Sequence, residues 1–93
     1  MAVKIFIKRK VTGSSTELTE LLMELRTLTM AREGYISGET LKRVDKPEEV
    51  LVISTWKSID DWKDWVSSKE RTTIQDKIDL LLGKKTKYAI YQN

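Results

Sequence analysis

Apolar and polar residues alternate at both ends of the chain and twice in its middle, which is the pattern of β-strands. The first alternating stretch spans residues 3–11, and one side of that strand carries Val3, Ile5, Ile7, Arg9 and Val11. Residues 35–44, 49–56 and 86–92 are also predicted to be strands. Because the stretch 49–56 contains a run of consecutive apolar residues, we expect a central strand that is buried on both faces.

Leucines spaced three and four residues apart predict a helix between the first two strands. Its apolar stripe consists of Leu18, Leu21, Leu22, Leu25 and Leu28. Ser14 and Glu17 fit a capping box at the start of this helix. Gly34 fits a stop after its end, because glycine enters the left-handed backbone region at little cost.

A second helical region follows the third strand, and the sequence divides it in two. Ser58 and Asp61 fit the start of a short helix. One face of this helix carries Ile59, Trp62 and either Trp65 or Val66. Ser67 and Glu70 fit the start of the next helix, and Gly83 fits its end. The apolar stripe of that helix consists of Ile74, Ile78, Leu81 and Leu82.

The order strand–helix–strand–strand–helix–strand is that of a ferredoxin-like α+β fold with a four-stranded antiparallel sheet. Right-handed crossovers place both helical regions on one face of the sheet. The other face is then bare, and Phe6 lies on it. Since a bare apolar face is an interaction surface, we predict a homodimer through this face, a dimeric α+β barrel. Residues 1–93 are expected to form one domain.

The composition excludes several classes of function. The 93 residues include no histidine and no cysteine, so Ser-His-Asp catalysis and the common zinc sites are ruled out, and we expect no metal. Lys and Arg exceed Asp and Glu by only 17 to 14, which argues against nucleic acid as a partner. No apolar run approaches the ~20 residues of a membrane span, and the N-terminus does not resemble a signal peptide. We therefore expect a cytoplasmic protein with no membrane partner.

The segment 34–68 resembles the central part of antibiotic biosynthesis monooxygenase (ABM) domains. The matching residues are Gly34 and Tyr35 opening the second strand, Asp45 and Pro47 in the turn, Trp56 closing the third strand, and Asp61, Trp62 and Trp65 in the helix. The resemblance implies a dimeric α+β barrel. Some members of the family oxygenate aromatic or quinol substrates with no metal or flavin, others degrade haem, and many have no assigned activity.

The stretch 55–68 is similar to the haem-degrading subgroup in particular. There, a tryptophan at the place of Trp65 distorts the haem, a histidine further along ligates the iron, and an asparagine on the first strand contacts the site. In this chain those last two positions fall near Gln75 and Arg9. Because glutamine is a poor iron ligand, haem degradation is disfavoured and no cofactor is expected.

We predict that two of the three tryptophans belong to the core and that the third lines a ligand site. Trp56 at a strand end and Trp62 beside Ile59 are more often core residues, since buried aromatic rings dominate small cores. Trp65 is the tryptophan that we expect to face a cleft between helices and sheet, although Trp62 is able to flank the same groove. A wall of indoles suits a flat aromatic ligand.

Arg9 has two interpretations. It either extends to solvent from the strand end, which is somewhat favoured, or holds a phenolate, enolate or carboxylate at the mouth of the cleft. Gln75 either hydrogen-bonds a ligand or points to solvent. Tyr35, Tyr88 and Tyr91 are expected to pack in the core or at the dimer contact, and one of them could donate a hydrogen bond to a ligand oxygen.

Two functions fit these residues. The first is a cofactor-independent monooxygenase acting on a small aromatic or quinol substrate, with Trp65 and Arg9 as catalytic residues. Its substrate-binding residues are predicted to be Trp56, Trp62, Gln75 and Tyr35. The second is a non-catalytic dimeric domain that binds a small aromatic or hydrophobic ligand, which is favoured by the absence of an identifiable acid–base residue.

Overall fold

The structure is a computed structural model that describes residues 2–11 and 16–92. Its seven elements run β1 (Val3–Lys10), α1 (Thr16–Met30), β2 (Tyr35–Lys42), β3 (Glu49–Trp56), α2 (Ile59–Val66), α3 (Lys69–Leu82) and β4 (Lys87–Gln92). This is the predicted ferredoxin-like order with a divided second helical region. The predicted capping box of α1 begins at Ser14, which lies outside the described residues.

The four strands form one antiparallel sheet in the order β2-β3-β1-β4. The register places Ile5 opposite Ser54 of β3 and opposite Ile90 of β4. Strand β3 is therefore central, as its apolar run predicts, because it pairs with both β1 and β2. Most of its residues are only half-buried in the single chain, since one face of the sheet is not covered by helices.

All three helices pack on the same face of the sheet, where they share a single core. The buried apolar residues of this core are Val3, Ile5, Ile7, Leu18, Leu21, Leu25, Trp56, Trp62, Trp65, Ile74 and Ile78. The alternation of β1 explains its contribution, since successive side chains of a strand point to opposite faces.

The predicted caps at Ser58 and Gly83 are confirmed, whereas two other predicted helix ends are displaced. Helix α1 ends at Met30, so Gly34, with a φ of 89°, lies in the turn before β2 and not directly after the helix. The Ser58 Oγ accepts a hydrogen bond from the Asp61 amide at 3.2 Å, as predicted. The N-cap of α3 is Ser68, whose Oγ accepts from the Arg71 amide at 3.3 Å, so the prediction of Ser67 was wrong by one residue. Helix α3 ends at Gly83, which has a φ of 71°.

Two further boundaries differ from the predictions. Strand β2 ends at Lys42 rather than at residue 44, because the chain turns there and the Arg43 amide donates to the Glu49 carbonyl at 3.0 Å. In α3 the last apolar residue on the core side is Leu82, whereas Leu81 is exposed. The α3 stripe therefore ends with Leu82 alone.

The outer face of the sheet is apolar at its centre. Residues on this face include Phe6, Leu41, Leu51, Ile53 and Tyr91, as the strand registers show. Phe6 contacts the Tyr91 ring edge-on with a centroid distance of 5.0 Å. Among the described residues, no helix has the length and apolar character needed to cross a bilayer.

Candidate active site

A cavity of about 500 Å³ lies between α1 and the helix-facing side of the sheet. Its sheet wall comes from β1, β2 and β3, and its helical wall includes Leu22, Leu25 and Thr29 of α1. Trp62 and Trp65 of α2 and Arg71 of α3 complete the lining. The lining is mainly apolar, so the cavity suits the ring of a small organic molecule.

The β2 wall owes its shape to a residue without a side chain. Gly38 lines the cavity, and a Cβ added there would lie 2.5 Å from the Tyr35 hydroxyl oxygen. A register irregularity between Tyr35 and Ser37 brings the two residues together. The Tyr35 hydroxyl thus packs over Gly38, and both residues line the cavity.

The three tryptophans occupy different places relative to the cavity. Trp62 and Trp65 line it, whereas Trp56 does not contribute to its lining. Trp56 is fully buried and donates from its indole Nε1 to the Ser54 Oγ at 3.1 Å. Because Ser54 does line the cavity, Trp56 supports the site from behind.

Four aromatic rings form a continuous edge-to-face series. Tyr35 contacts Trp56 at a centroid distance of 5.6 Å, and Trp56 contacts Trp62 at 5.7 Å. Trp62 then contacts Tyr88 at 5.5 Å. Such contacts hold aromatic rings in fixed orientations, so the Trp62 wall of the cavity is rigid.

Arg9 does not extend to solvent, contrary to the favoured interpretation of the sequence. The residue is only 8% exposed and lines the cavity. Its Nη2 donates to the Gln75 Oε1 at 3.1 Å, while its Nε is buried without a hydrogen-bond partner among the described residues. Burial and the nearby Arg71 charge lower the pKa of the Arg9 guanidinium from its ordinary value.

Gln75 is the centre of a buried polar network rather than a solvent-facing residue. Its Oε1 also accepts from the Arg71 Nη2 at 3.2 Å. Its Nε2 donates to the Asp79 Oδ1 at 2.8 Å and to the Thr86 Oγ1 at 2.7 Å. Both ends of the amide are therefore in use, and Gln75 holds the two arginines in place.

Arg71 is a candidate site residue that the sequence interpretation missed. It is 3% exposed, and its guanidinium carbon lies 5.5 Å from the Trp62 ring centroid and 4.9 Å from that of Tyr88. The available signal was its helical spacing, since Arg71 precedes Ile74 by three residues and Gln75 by four. That spacing places the arginine on the buried face of α3.

The residues present do not fit a haem iron. The position that corresponds to the iron ligand of haem-degrading relatives is near Gln75, whose amide oxygen is already occupied by two arginines. Within the described ranges, no group of three or more acidic side chains is placed to hold a metal ion. The residues that line the cavity provide aromatic surface and guanidinium charge.

The fold and the cavity define a ferredoxin-like α+β domain with an internal space between its sheet and first helix. A family model described as antibiotic biosynthesis monooxygenase matches residues 3–77. The match covers most of the chain, which therefore belongs to the ABM family. No curated protein matches the chain in sequence.

Solved structures share the fold at low sequence identity. A conserved protein from Methanosarcina mazei Go1 superposes with a TM-score of 0.88 at 22% identity, covering 100% of this chain and 93% of that one. SnoaB, a cofactor-independent oxygenase from Streptomyces nogalater, gives 0.83 at 13% identity, covering 99% and 92%. A further antibiotic biosynthesis monooxygenase gives 0.81 at 11% identity, covering 98% and 97%.

Proposed function

We propose that this protein is a monooxygenase that oxygenates a small aromatic or quinol substrate in the cavity without a metal or flavin. The observation that carries the proposal is the mainly apolar cavity of about 500 Å³ with two indole walls and a buried arginine pair. Its volume is in the range of small-molecule sites. Family membership and the similarity in fold to a cofactor-independent oxygenase support the same reaction class.

The reaction needs no external reductant when the substrate is a quinol. The quinol anion transfers an electron to O₂, and recombination of the two radicals forms a new carbon–oxygen bond. Loss of water from the resulting hydroperoxide gives a hydroxyquinone. One quinol and one O₂ thus yield one hydroxyquinone and one water, and the quinol supplies all four electrons.

The cavity residues have separate roles in this scheme. Trp65 and Trp62 orient the ring and exclude water, which strengthens electrostatic interactions inside the site. Arg9 stabilises the substrate anion, and Gln75 holds Arg9 in position. We expect the Tyr35 hydroxyl to donate to a substrate oxygen. Deprotonation of the substrate relies on its own acidity, because the chain contains no histidine.

Oxygen uptake with a panel of quinols, including menadiol, tests this proposal. We expect uptake faster than the no-protein control for the wild type and loss of the excess rate in Trp65→Ala. Lys63→Ala is the matched control, since Lys63 is exposed on the same helix. Uptake equal to the no-protein control across the panel would rule the monooxygenase out.

A non-catalytic domain that binds a small aromatic ligand is the second candidate. It is favoured by the absence of a carboxylate facing the cavity among the described residues. Glu39 is the one acidic residue in the lining, and strand alternation directs its side chain to the opposite face from Gly38. Ligand binding without quinol-dependent oxygen uptake would identify this function.

We also propose that two copies of the chain associate through the outer face of the sheet. Leu41 and Tyr91 on this face are 45% and 61% exposed, and a contiguous apolar face of this kind marks an interaction surface. Sedimentation of the wild type at the dimer mass, and of Ile53→Lys at the monomer mass, is expected. A wild-type protein that sediments as a monomer contradicts the proposal.

A further inference from the structure

Two buried arginines share one neutral acceptor at the cavity. Arg9 and Arg71 are 8% and 3% exposed, and both donate from Nη2 to the Gln75 Oε1. Within residues 2–11 and 16–92, neither guanidinium forms an ion pair. A buried charge is normally paired with an opposite charge, so this arrangement lacks a counter-ion.

The carboxylate of this network, Asp79, lies one hydrogen bond beyond Gln75. Asp79 accepts from the Gln75 Nε2 and from the Thr86 Oγ1, at 2.8 and 2.6 Å. Gln75 thus separates the carboxylate from both arginines. Asp79 opposes only part of their charge, and the pair remains net positive beside an apolar space.

The positive pair is also fixed in place before any ligand arrives. The Arg71 guanidinium lies close to the rings of both Trp62 and Tyr88, at 5.5 and 4.9 Å from their centroids. Arg9 is anchored by Gln75 and keeps a buried Nε without a partner. Donors that are held in position lose little entropy when they bind an anion.

We propose that Arg9 and Arg71 form a subsite for a carboxylate, so that the ligand of the cavity is an aromatic carboxylic acid. The planar guanidinium matches a carboxylate in shape and donates two hydrogen bonds to it. The aromatic ring of the ligand lies against Trp62 and Trp65, while its carboxylate supplies the missing counter-charge. The identity of the ligand as a substrate rests on the proposed function, but the subsite itself requires no oxygen chemistry.

Calorimetric titration with a naphthoic acid and the corresponding naphthamide tests the subsite. The two probes share a ring system that does not react with O₂, and they differ in charge. We expect the acid to bind about 100-fold more tightly than the amide, as two charge-assisted hydrogen bonds provide. Equal affinity for the two probes would overturn the carboxylate subsite.

Substitutions test whether the preference for the acid over the amide comes from Arg9 and Arg71. Arg71→Gln and Arg9→Gln are each expected to weaken binding of the acid about tenfold or more, with the amide changed less than about twofold. Lys77→Gln removes one exposed positive charge from α3 and is expected to change neither affinity. If the glutamine variants retain the full preference for the acid, the proposal fails.

Two further measurements keep the test decisive. Arg71→Lys retains the charge in case the glutamine variant does not fold, and it is expected to keep only part of the preference for the acid, because lysine lacks the planar pair of donors. Inorganic phosphate added as a competitor is expected not to displace the acid, and displacement at comparable concentration overturns the assignment to a carboxylate.

The outcomes separate this proposal from the proposed function. Preference for the acid without quinol-dependent oxygen uptake supports the subsite and contradicts the monooxygenase. Quinol oxidation by a protein that binds acid and amide equally contradicts the subsite alone.

Discussion

Replacement of Arg9 by methionine is predicted to stabilise the ligand-free protein. Methionine keeps the apolar stem of the side chain and removes the buried charge. Gln75 still accepts from Arg71 and donates to Asp79 and Thr86, so the substitution leaves its amide with partners. The unpartnered Nε of Arg9 disappears at the same time.

The size of the gain follows from three opposing contributions. The two Nη2 atoms lie 3.1 and 3.2 Å from one oxygen. Two unit charges about 6 Å apart repel by roughly 2 to 3 kcal/mol at an effective dielectric constant of about 20. A buried donor without a partner costs about 1 to 3 kcal/mol, whereas the lost charged hydrogen bond contributed about 1.5 to 3 kcal/mol. The net expectation is a stabilisation of about 2 kcal/mol.

Thermal unfolding at one fixed protein concentration measures this gain. For a domain of this size, about 1 kcal/mol corresponds to a shift of roughly 4 to 8 °C in Tm. Fixed concentration removes the effect of any dimerisation. Lys77→Met is the control, because substitution of an exposed charge changes stability by less than about 0.5 kcal/mol.

The pH dependence of the gain is part of the prediction. Burial and the Arg71 charge lower the pKa of Arg9 in the folded protein below its ordinary value, so the unfolded chain binds this proton more tightly. The penalty is present below the folded pKa and is relieved only as the pH rises through it. The gain is therefore expected to be constant from about pH 6 to about pH 9, because arginine stays charged there. A Tm of Arg9→Met below that of the wild type would show that Arg9 stabilises the ligand-free protein, contrary to this prediction.

The remaining predictions concern the backbone and a helix cap. Gly34 has a φ of 89°, and a Cβ there would overlap the Asp61 carboxyl group, so Gly34→Ala is expected to lower the unfolding free energy by more than about 2 kcal/mol. Gly83 has a φ of 71°, but a Cβ there would have no neighbour within 4 Å, so Gly83→Ala is expected to lower the unfolding free energy by about 1 kcal/mol in chemical denaturation. An equal loss for the two glycine variants would contradict this prediction. Ser68→Ala is expected to cost about 1 kcal/mol as the N-cap of α3, with Ser67→Ala well below it, and the reverse order in the same assay would show that the cap is misplaced.

Local sequence pattern determines most of this fold. Period-two alternation located β1 and β4, and the leucine stripe located α1, because each pattern reports which face of one element is buried. The errors were at boundaries. Two adjacent serines precede α3, and only the backbone geometry decides that Ser68 rather than Ser67 caps the helix.

The candidate site was only partly predictable, because its residues meet across different elements. Alternation along β1 placed Arg9 on the helix-facing side. The hydrogen-bond acceptor of its guanidinium, however, is Gln75 from α3, which the pattern of β1 does not indicate. Arg71 sits between Trp62 and Tyr88, which lie on α2 and β4. No single stretch of sequence contains that arrangement, so helical spacing alone gave little reason to select Arg71.

Isotope labelling of O₂ tests most directly whether this protein is a monooxygenase. Purified protein is incubated with menadiol, and separately with 1,4-dihydroxy-2-naphthoic acid as a quinol that carries a carboxylate, under O₂ labelled with heavy oxygen, and the quinone products are analysed by mass spectrometry. If the protein is a monooxygenase, each hydroxylated product carries one labelled oxygen and forms faster than without protein, with the excess rate lost in Trp65→Ala and kept in Lys63→Ala. An unlabelled quinone, or labelled product formed no faster than without protein, would contradict this prediction.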